Sequence, residues 1–135
     1  MRGFGLGCEF FDSLSSRRFE LDGELVVEID ITDDLRGPAG SVHGGLVAML
    51  VDVAGATCLT RASGKPVATA STSIQYLSAG RVGPVRAVPT LLRASDTLGV
   101  AEVRVIDAGK DKRLMAAAHV TCRFLDGDAF VRNVS

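Results

Sequence analysis

Apolar and polar side chains alternate along residues 24–32. Alternation over this length predicts a strand with one buried face. The side chains of the predicted buried face are Leu25, Val27, Ile29 and Ile31. Residues 33–40 are rich in Asp, Gly and Pro, which is typical of a loop. Residues 1–23 show no clear period, although three phenylalanines are candidates to cover one edge of a core: Phe4, Phe10 and Phe11.

Residues 42–62 are small or aliphatic at nearly every position, which predicts a buried helix. Ser41 is a suitable N-cap, and Ser63-Gly64 is a suitable end. The polar exceptions are His43, Asp52, Thr57, Thr60 and Arg61. A membrane span is the alternative. It is disfavoured because Asp52 would lie in mid-bilayer at a cost of about 2.5–3.5 kcal/mol.

The chain after Pro66 alternates again and predicts four strands, over residues 67–77, 85–94, 100–107 and 114–124. The first of these strands has Thr69 on a polar face, opposite a face made of Ala68, Ala70, Ile74 and Tyr76. Pro89 predicts a sheet edge or a bulge. Short connections imply antiparallel pairing, and the long helix must cover the apolar side of the sheet. The sequence therefore predicts an α+β fold in which an antiparallel sheet wraps around one central helix.

Composition limits the classes of function. The 135 residues fit one domain, and the 47% of apolar residues can form a core. The 15 basic and 16 acidic residues give a net charge of −1, which argues against a nucleic-acid partner. The three cysteines, Cys8, Cys58 and Cys122, match no zinc spacing and predict free thiols in a reducing cytoplasm. No secretory signal is evident, so we expect a cytoplasmic protein with no metal, no other cofactor and no membrane partner.

Two segments carry a family resemblance: HGGLVAMLVD at the start of the helix and SIQYLSAGRVG at the end of the following strand. Their combination resembles the PaaI-type thioesterases of the hotdog superfamily, over roughly residues 24–125. The resemblance implies a hotdog fold and hydrolysis of an acyl- or aryl-CoA thioester to the free acid and CoA. It also implies a homodimer or homotetramer with active sites at the protomer interface. We take residues 1–135 as a single such domain, with residues 1–23 as an N-terminal extension and residues 126–135 as a C-terminal tail.

Asp52 is the first candidate catalytic residue. It lies in mid-helix, and no Lys or Arg stands three or four positions away. An unpaired buried charge is costly, so Asp52 should either find a partner or face a cleft, as catalytic carboxylates do. The resemblance implies that Asp52 activates water against the thioester carbonyl or attacks the carbonyl directly. The alternative is a structural acid that caps a helix or pairs across an interface.

Gly44 is the candidate carbonyl-binding residue. The first turn of a helix has free N–H groups at the positive end of the dipole, and glycine lets a ligand come close. These properties suit an oxyanion hole, and the resemblance implies that the Gly44 N–H polarises the thioester carbonyl. The alternative is that Gly44 and Gly45 permit tight packing of the helix on the sheet.

His43 stands nine residues before Asp52, about 13 Å along a helix, so the two side chains of one protomer cannot touch. A structural role, with the ring bonded to the preceding loop, is favoured over contact with Asp52 of a neighbouring protomer. The resemblance assigns Thr69 to holding the nucleophilic water, against the alternative of an ordinary strand threonine. The residues taken as substrate-binding are His43, Gly45, Tyr76 and Arg81.

CoA phosphates require cations, and Arg81 is the first candidate. Weaker candidates are Arg86, Arg93, Lys110, Lys112 and Arg113. One position departs from the family pattern, because Gly37 stands where many relatives carry an Asn that helps to bind the carbonyl. This departure keeps a non-catalytic acyl-CoA-binding protein as an alternative function. A hotdog hydratase is disfavoured, because its Asp-x-x-x-x-His pattern is broken by Thr57.

Overall fold

The computed structural model describes residues 8–126, so Phe4 and residues 127–135 of the predicted tail lie outside the described residues. The described residues form two helices, α1 (Glu9–Asp12) and α2 (Gly44–Ser63), with a 3-10 turn at Asp33–Leu35. The strands are β1 (Arg17–Leu21), β2 (Glu24–Ile29), β3 (Val67–Tyr76), β4 (Val85–Ala94), β5 (Leu98–Asp107) and β6 (Arg113–Phe124). They form one antiparallel sheet in the order β1-β2-β4-β5-β6-β3. The predicted arrangement of an antiparallel sheet around one long helix is confirmed.

Helix α2 is the core of this arrangement. Its buried side chains include Leu50, Val51, Ala54 and Leu59, which share one cluster with the inward side chains of β2, β4, β5 and β6. Gly55 lets the helix approach β6 closely, because a Cβ at this position would lie 2.7 Å from Val120. Helix α2 is long and apolar enough to cross a membrane by composition. Its packing inside the sheet makes it the core helix of a globular domain, as the sequence predicts.

The start of α2 differs from the prediction. The N-cap is His43 and not Ser41, since the His43 ring accepts a hydrogen bond from the Gly45 N–H. Two backbone bonds explain the later start. The Val42 N–H donates to the Gly80 carbonyl at 2.8 Å, and the His43 N–H donates to the Leu35 carbonyl at 2.9 Å. These bonds hold the chain extended up to the helix. The predicted end is confirmed, with Gly64 in the left-handed region at φ 70°.

Strand β3 lies at one edge of the sheet and contains a bulge. The register shifts between Thr69 and Ser71, so that Thr69 lies opposite Cys122 and Ile74 lies opposite Ala118. One extra residue in a strand moves the side chains after it to the other face. Thr69 therefore shares the helix-facing side with Ile74 and Tyr76, and the alternation-based placement of Thr69 on the opposite face is wrong.

The opposite end of the sheet shows two further features. Strand β4 pairs with β2 only over Val85–Ala87, so Pro89 lies where β4 has no neighbour on that side, as an edge proline should. Strand β1, which alternation did not reveal, pairs with β2 and places Arg17 beside the buried Glu28 at 2.9 Å. The phenylalanine prediction is half right, because Phe11 is buried while Phe10 is 57% exposed.

Candidate active site

Asp52 and Thr69 form the first half of the site. Asp52 is half-buried on the side of α2 that faces β3, and the Thr69 hydroxyl donates a 2.6 Å hydrogen bond to its Oδ1. Within residues 8–126 Asp52 makes no ion pair. The hydroxyl fixes the orientation of the carboxylate without placing a positive charge beside it, which suits a base or a nucleophile. Asp52 and Thr69 are called the carboxylate half below.

The first turn of α2 leaves one N–H group without an acceptor among the described residues. The Gly45 N–H donates to Nδ1 of His43 at 2.9 Å. The N–H groups of Leu46 and Val47 donate to the His43 carbonyl at 3.0 and 3.3 Å. Gly44 carries the remaining N–H of this first turn. It points from the positive end of the helix dipole, where a carbonyl oxygen that gains negative charge is stabilised.

A cleft of about 380 Å³ opens beside Gly44. The Tyr76 hydroxyl donates a 2.7 Å hydrogen bond to the Gly44 carbonyl, and the Tyr76 ring forms one wall. The other lining residues are Ser41, Val42, Val47, Leu77, Ser78, Ala79, Gly80 and Met115. Gly44, Tyr76 and this cleft are called the N–H half below.

His43 supports the N–H half without touching the carboxylate half. Because Nδ1 accepts from the Gly45 N–H, the neutral ring carries its proton on Nε2. The His43 ring bonds to the Gly45 N–H in the helix, whereas the His43 N–H donates to the Leu35 carbonyl in the preceding loop. A Cβ at Gly45 would lie 3.2 Å from Nδ1, so glycine at this position gives the ring room to cap the helix. The Gly45 N–H is thus already bonded to the His43 ring, which leaves the Gly44 N–H as the donor for a ligand.

The two halves are separated within one chain. Gly44 and Asp52 are eight residues apart on α2, which is about 12 Å along the axis. One thioester group cannot contact both within a single protomer. The structure joins Thr69 to Asp52 and Tyr76 to Gly44, and it keeps these two pairs apart.

Arg81 lies on the loop that follows the cleft, and its guanidinium braces a neighbouring loop. Its Nη1 donates to the Ala39 carbonyl at 2.9 Å. Arg36, which the sequence analysis did not single out, donates from Nη1 to the Gly40 carbonyl at 2.6 Å and to the Arg81 carbonyl at 3.0 Å. Both guanidinium groups therefore bond to the backbone of residues 39–40, next to Ser41 of the cleft. Nothing in the turn-rich sequence around Arg36 distinguishes it from a solvated arginine.

Asp107 is a second residue that the sequence analysis missed. Its buried carboxylate accepts the N–H groups of Arg81, Val82 and Gly83 at 2.9, 3.1 and 2.7 Å. Burial opposes its charge, yet the N–H groups of Val82, Arg81, Gly83 and Gly109 together lower the pKa of Asp107. Asp107 thus fixes the backbone that carries Arg81.

The thiols and acids complete the set of reactive groups. Cys8, Cys58 and Cys122 are free, and Cys122 is fully buried with Sγ 3.8 Å from Oγ1 of Thr69. In the part of the chain from 8 to 126, no three His, Cys, Asp or Glu side chains gather as metal ligands would. The expectation of no metal stays a prediction.

Comparison with known proteins identifies relatives of this chain. The sequence model of the thioesterase superfamily matches residues 39–114, more than half of the chain, and this range contains Gly44, Asp52, Thr69 and Tyr76. A candidate esterase of Halobacterium salinarum is 38% identical over 92 residues, which cover 63% of this chain and 60% of that protein.

Solved structures share the fold. The PaaI protein of Escherichia coli, from the phenylacetic acid degradation operon, superposes with a TM-score of 0.80 at 19% identity, covering 90% of this chain and 87% of that chain. A Bacillus halodurans protein crystallised with CoA gives a TM-score of 0.73 at 24% identity, covering 85% of this chain and 76% of that chain. The predicted hotdog fold is confirmed.

Proposed function

Because the chain belongs to the thioesterase superfamily, we propose that it is a PaaI-type enzyme that hydrolyses an acyl- or aryl-CoA thioester. One observation carries this proposal: within residues 8–126 the carboxylate of Asp52 has no ion-pair partner, and the helix-start N–H of Gly44 has no acceptor. Thioester hydrolysis needs these two groups, a base for water and a donor for the carbonyl oxygen. The CoA held by the Bacillus halodurans neighbour supports CoA as the carrier.

The proposed reaction uses only the chain's own residues and water. Asp52 takes a proton from a water molecule, which attacks the thioester carbonyl carbon. The Gly44 N–H stabilises the negative charge on the carbonyl oxygen. The C–S bond then breaks and Asp52 passes its proton to the sulfur, which releases the acid and the CoA thiol. In the second form of the mechanism, Asp52 attacks the carbonyl carbon itself and the C–S bond breaks to expel the CoA thiolate. Water then hydrolyses the resulting anhydride to the free acid and Asp52, and the proton released goes to the thiolate. Thr69 holds the carboxylate in either form.

The separation of the two halves supports a shared active site. Strand β3 is an edge strand, and it carries Thr69 near one end and Tyr76 at the other. Antiparallel pairing of two copies through this edge would bring the Thr69 end of one strand to the Tyr76 end of the other. The carboxylate half of one protomer would then meet the N–H half of its partner. We therefore propose a homodimer, or a homotetramer built from such dimers, with sites at the interface.

The cleft and its surroundings supply candidates for substrate binding. A volume of about 380 Å³ lies at the small end of ligand pockets and suits an aryl or medium acyl group. Tyr76 would contact this group, and the Nε2–H of the exposed His43, which stands between the lining residues Val42 and Gly44 in the sequence, is a further candidate donor. Arg81 and Arg36 are the proposed cations for the CoA phosphates. We also propose that the enzyme is cytoplasmic and has no nucleic-acid or membrane partner.

A panel assay tests the proposal. The purified protein is incubated with short, medium, branched and aryl acyl-CoAs, and released thiol is measured against a heat-inactivated preparation as the blank. We expect turnover of at least one thioester, with the same rate in the presence of EDTA. Thiol release at the blank rate across the whole panel would refute the proposed activity.

Gly37 favours a second candidate function, a non-catalytic acyl-CoA-binding protein. A Cβ at Gly37 would lie 4.0 Å from Cδ2 of His43 and 3.8 Å from the Ser41 carbonyl oxygen. The position at which many relatives carry a carbonyl-binding Asn therefore lies beside the N–H half. In this chain that position is Gly37, which has no side chain. Saturable binding of an acyl-CoA that stays intact would establish this second function.

A further inference from the structure

Cys122 is a buried thiol that the proposed mechanism does not use, and it lies directly behind the carboxylate half. We propose that Cys122 is a positioning residue, whose S–H donates a hydrogen bond to Oγ1 of Thr69 and thereby directs the Thr69 hydroxyl proton to Asp52. The proposal rests on the proposed function of Asp52. It adds a residue to that site which acts through Thr69 without contacting substrate.

The register of the sheet brings the three groups together. Thr69 and Cys122 are direct cross-strand partners in β3 and β6, immediately before the bulge. Sγ of Cys122 lies 3.8 Å from Oγ1 of Thr69, and this same oxygen lies 2.6 Å from Oδ1 of Asp52. The three side chains thus form a row from the core to the carboxylate.

The number of protons fixes the direction of the two bonds. A threonine hydroxyl has one proton, and an ionised carboxylate can only accept. The Thr69 proton is therefore used in the bond to Asp52. The proton between Thr69 and Cys122 must then come from the thiol.

The surroundings of Cys122 keep that proton in place. Burial raises the pKa of the Cys122 thiol, and the negative charge of Asp52 raises it further against the opposing effect of the Thr69 hydroxyl. A thiol already has its ordinary pKa near 8.5, so Cys122 stays protonated at neutral pH. A second hydrogen bond on Oγ1 restricts rotation of the Thr69 hydroxyl and strengthens the bond it donates.

Kinetics of three variants test the role. Cys122→Ala removes the donor, and we expect kcat to fall about threefold to tenfold with little change in KM. Cys122→Ser keeps a donor and should recover most of the loss. Cys58→Ala is the matched control, because this half-buried thiol lies with Leu25 and Arg61 at a separate groove and should leave kcat unchanged.

A double-mutant cycle separates positioning from packing. In a Thr69→Val background no hydroxyl remains to be positioned, so adding Cys122→Ala should cause no further fall in kcat. An equal loss in both backgrounds, or a Cys122→Ser enzyme as slow as Cys122→Ala, would show that Cys122 only packs and would overturn the proposal.

Infrared spectroscopy tests the hydrogen bond without turnover. The S–H stretching band of Cys122 is assigned from the difference between wild type and Cys122→Ala. We expect this band to move to higher frequency in Thr69→Val, where the acceptor is lost, and an unmoved band would refute the bond. If the band shifts as expected but the wild type cleaves no thioester, the proposed function is refuted, and with it the positioning role of Cys122 in catalysis. The hydrogen bond itself would stand.

Discussion

The Tyr76 hydroxyl donates a 2.7 Å hydrogen bond to the Gly44 carbonyl, which joins the end of β3 to the first residue of α2. The His43 ring caps the next N–H of the same turn. The backbone around the free Gly44 N–H is thus held on both sides. An oxyanion donor needs this kind of fixed orientation, because its stabilising effect depends on being in place before the reaction.

Tyr76→Phe tests the importance of that bond. The ring and its wall of the cleft stay, while the hydroxyl is lost. Since the bond is exposed, we expect the free energy of unfolding to change by less than about 1 kcal/mol. The value of kcat/KM should fall about fivefold to twentyfold, because a looser donor stabilises the oxyanion less well. Chemical denaturation and steady-state kinetics on one preparation check both values, and an unchanged kcat/KM would remove Tyr76 from the site.

Complementation between two inactive variants tests the shared site. Asp52→Asn removes the base, and Gly44→Pro removes the N–H. Proline suits the first helical position, the preceding His43 is already extended at φ −62° and ψ 135°, and a Cβ at Gly44 makes only ordinary contacts with Tyr76. Each variant alone should be inactive.

Co-expressed variants should regain activity, because each mixed dimer contains one site with a normal Asp52 and a normal Gly44. Random assembly makes half of the dimers mixed, so about a quarter of wild-type activity is expected. Two affinity tags verify that mixed dimers form. Purified mixed dimers without activity would show that the two halves do not meet between protomers.

Gly37→Asn tests whether the missing amide limits turnover. The position has room, since the nearest atoms to a Cβ are 3.8 and 4.0 Å away. An Asn side chain beside His43 would supply a second donor to the thioester carbonyl, and we expect kcat to rise by about tenfold. Gly37→Ala is the matched control, with the same backbone change but no amide, and should show no rise. Equal rates in the Asn and Ala variants would argue against a carbonyl donor at this position.

The buried carboxylate of Asp107 should make the free energy of unfolding depend on pH in the acid range. Asp107→Asn replaces a carboxylate that accepts several N–H groups, so we expect a loss of about 2–3 kcal/mol at pH 7. The pKa of Asp107 is lowered in the folded chain. Its contribution is therefore present above the unfolded pKa of about 3.9 and is lost as pH falls through the folded pKa.

Wild type should thus lose more stability between pH 5 and strongly acidic pH than Asp107→Asn does, as measured by urea unfolding at each pH. Asp30→Asn is the control. Arg17 lowers the pKa of Asp30 too, but Asp30 is exposed, where an ion pair contributes little. Parallel pH curves for wild type and Asp107→Asn would contradict the role assigned to Asp107.

The sequence predicts those features of the fold that depend on local pattern. Helix α2 is apolar on nearly every side, and β6 alternates from Ala116 to Cys122, so their positions follow from periodicity alone. The end of α2 follows from Gly64, because glycine favours the left-handed conformation found there. Asp52 stands out because a charge among aliphatic neighbours needs an explanation.

Other features depend on contacts between distant residues and leave no local pattern. The start of α2 is set by backbone bonds from Val42 and His43 to Gly80 and Leu35. The bulge at Ala70 reverses the face of Thr69, which strict alternation cannot show. The clamp from Asp107 to the loop of Arg81 spans 26 residues along the chain. Each of these arises only when the sheet has formed.

Asp52→Asn provides the most direct test of the central claim, through kcat, KM and melting temperature measured on the same preparation. If Asp52 acts on water or on the thioester, kcat should fall at least about 100-fold while KM changes little, because Asn still fills the site and its oxygen still accepts from Thr69. The melting temperature should stay the same or rise, since the variant removes a charge that no cation in residues 8–126 balances. A lower melting temperature with near-normal turnover would contradict the account and leave Asp52 as a packing residue.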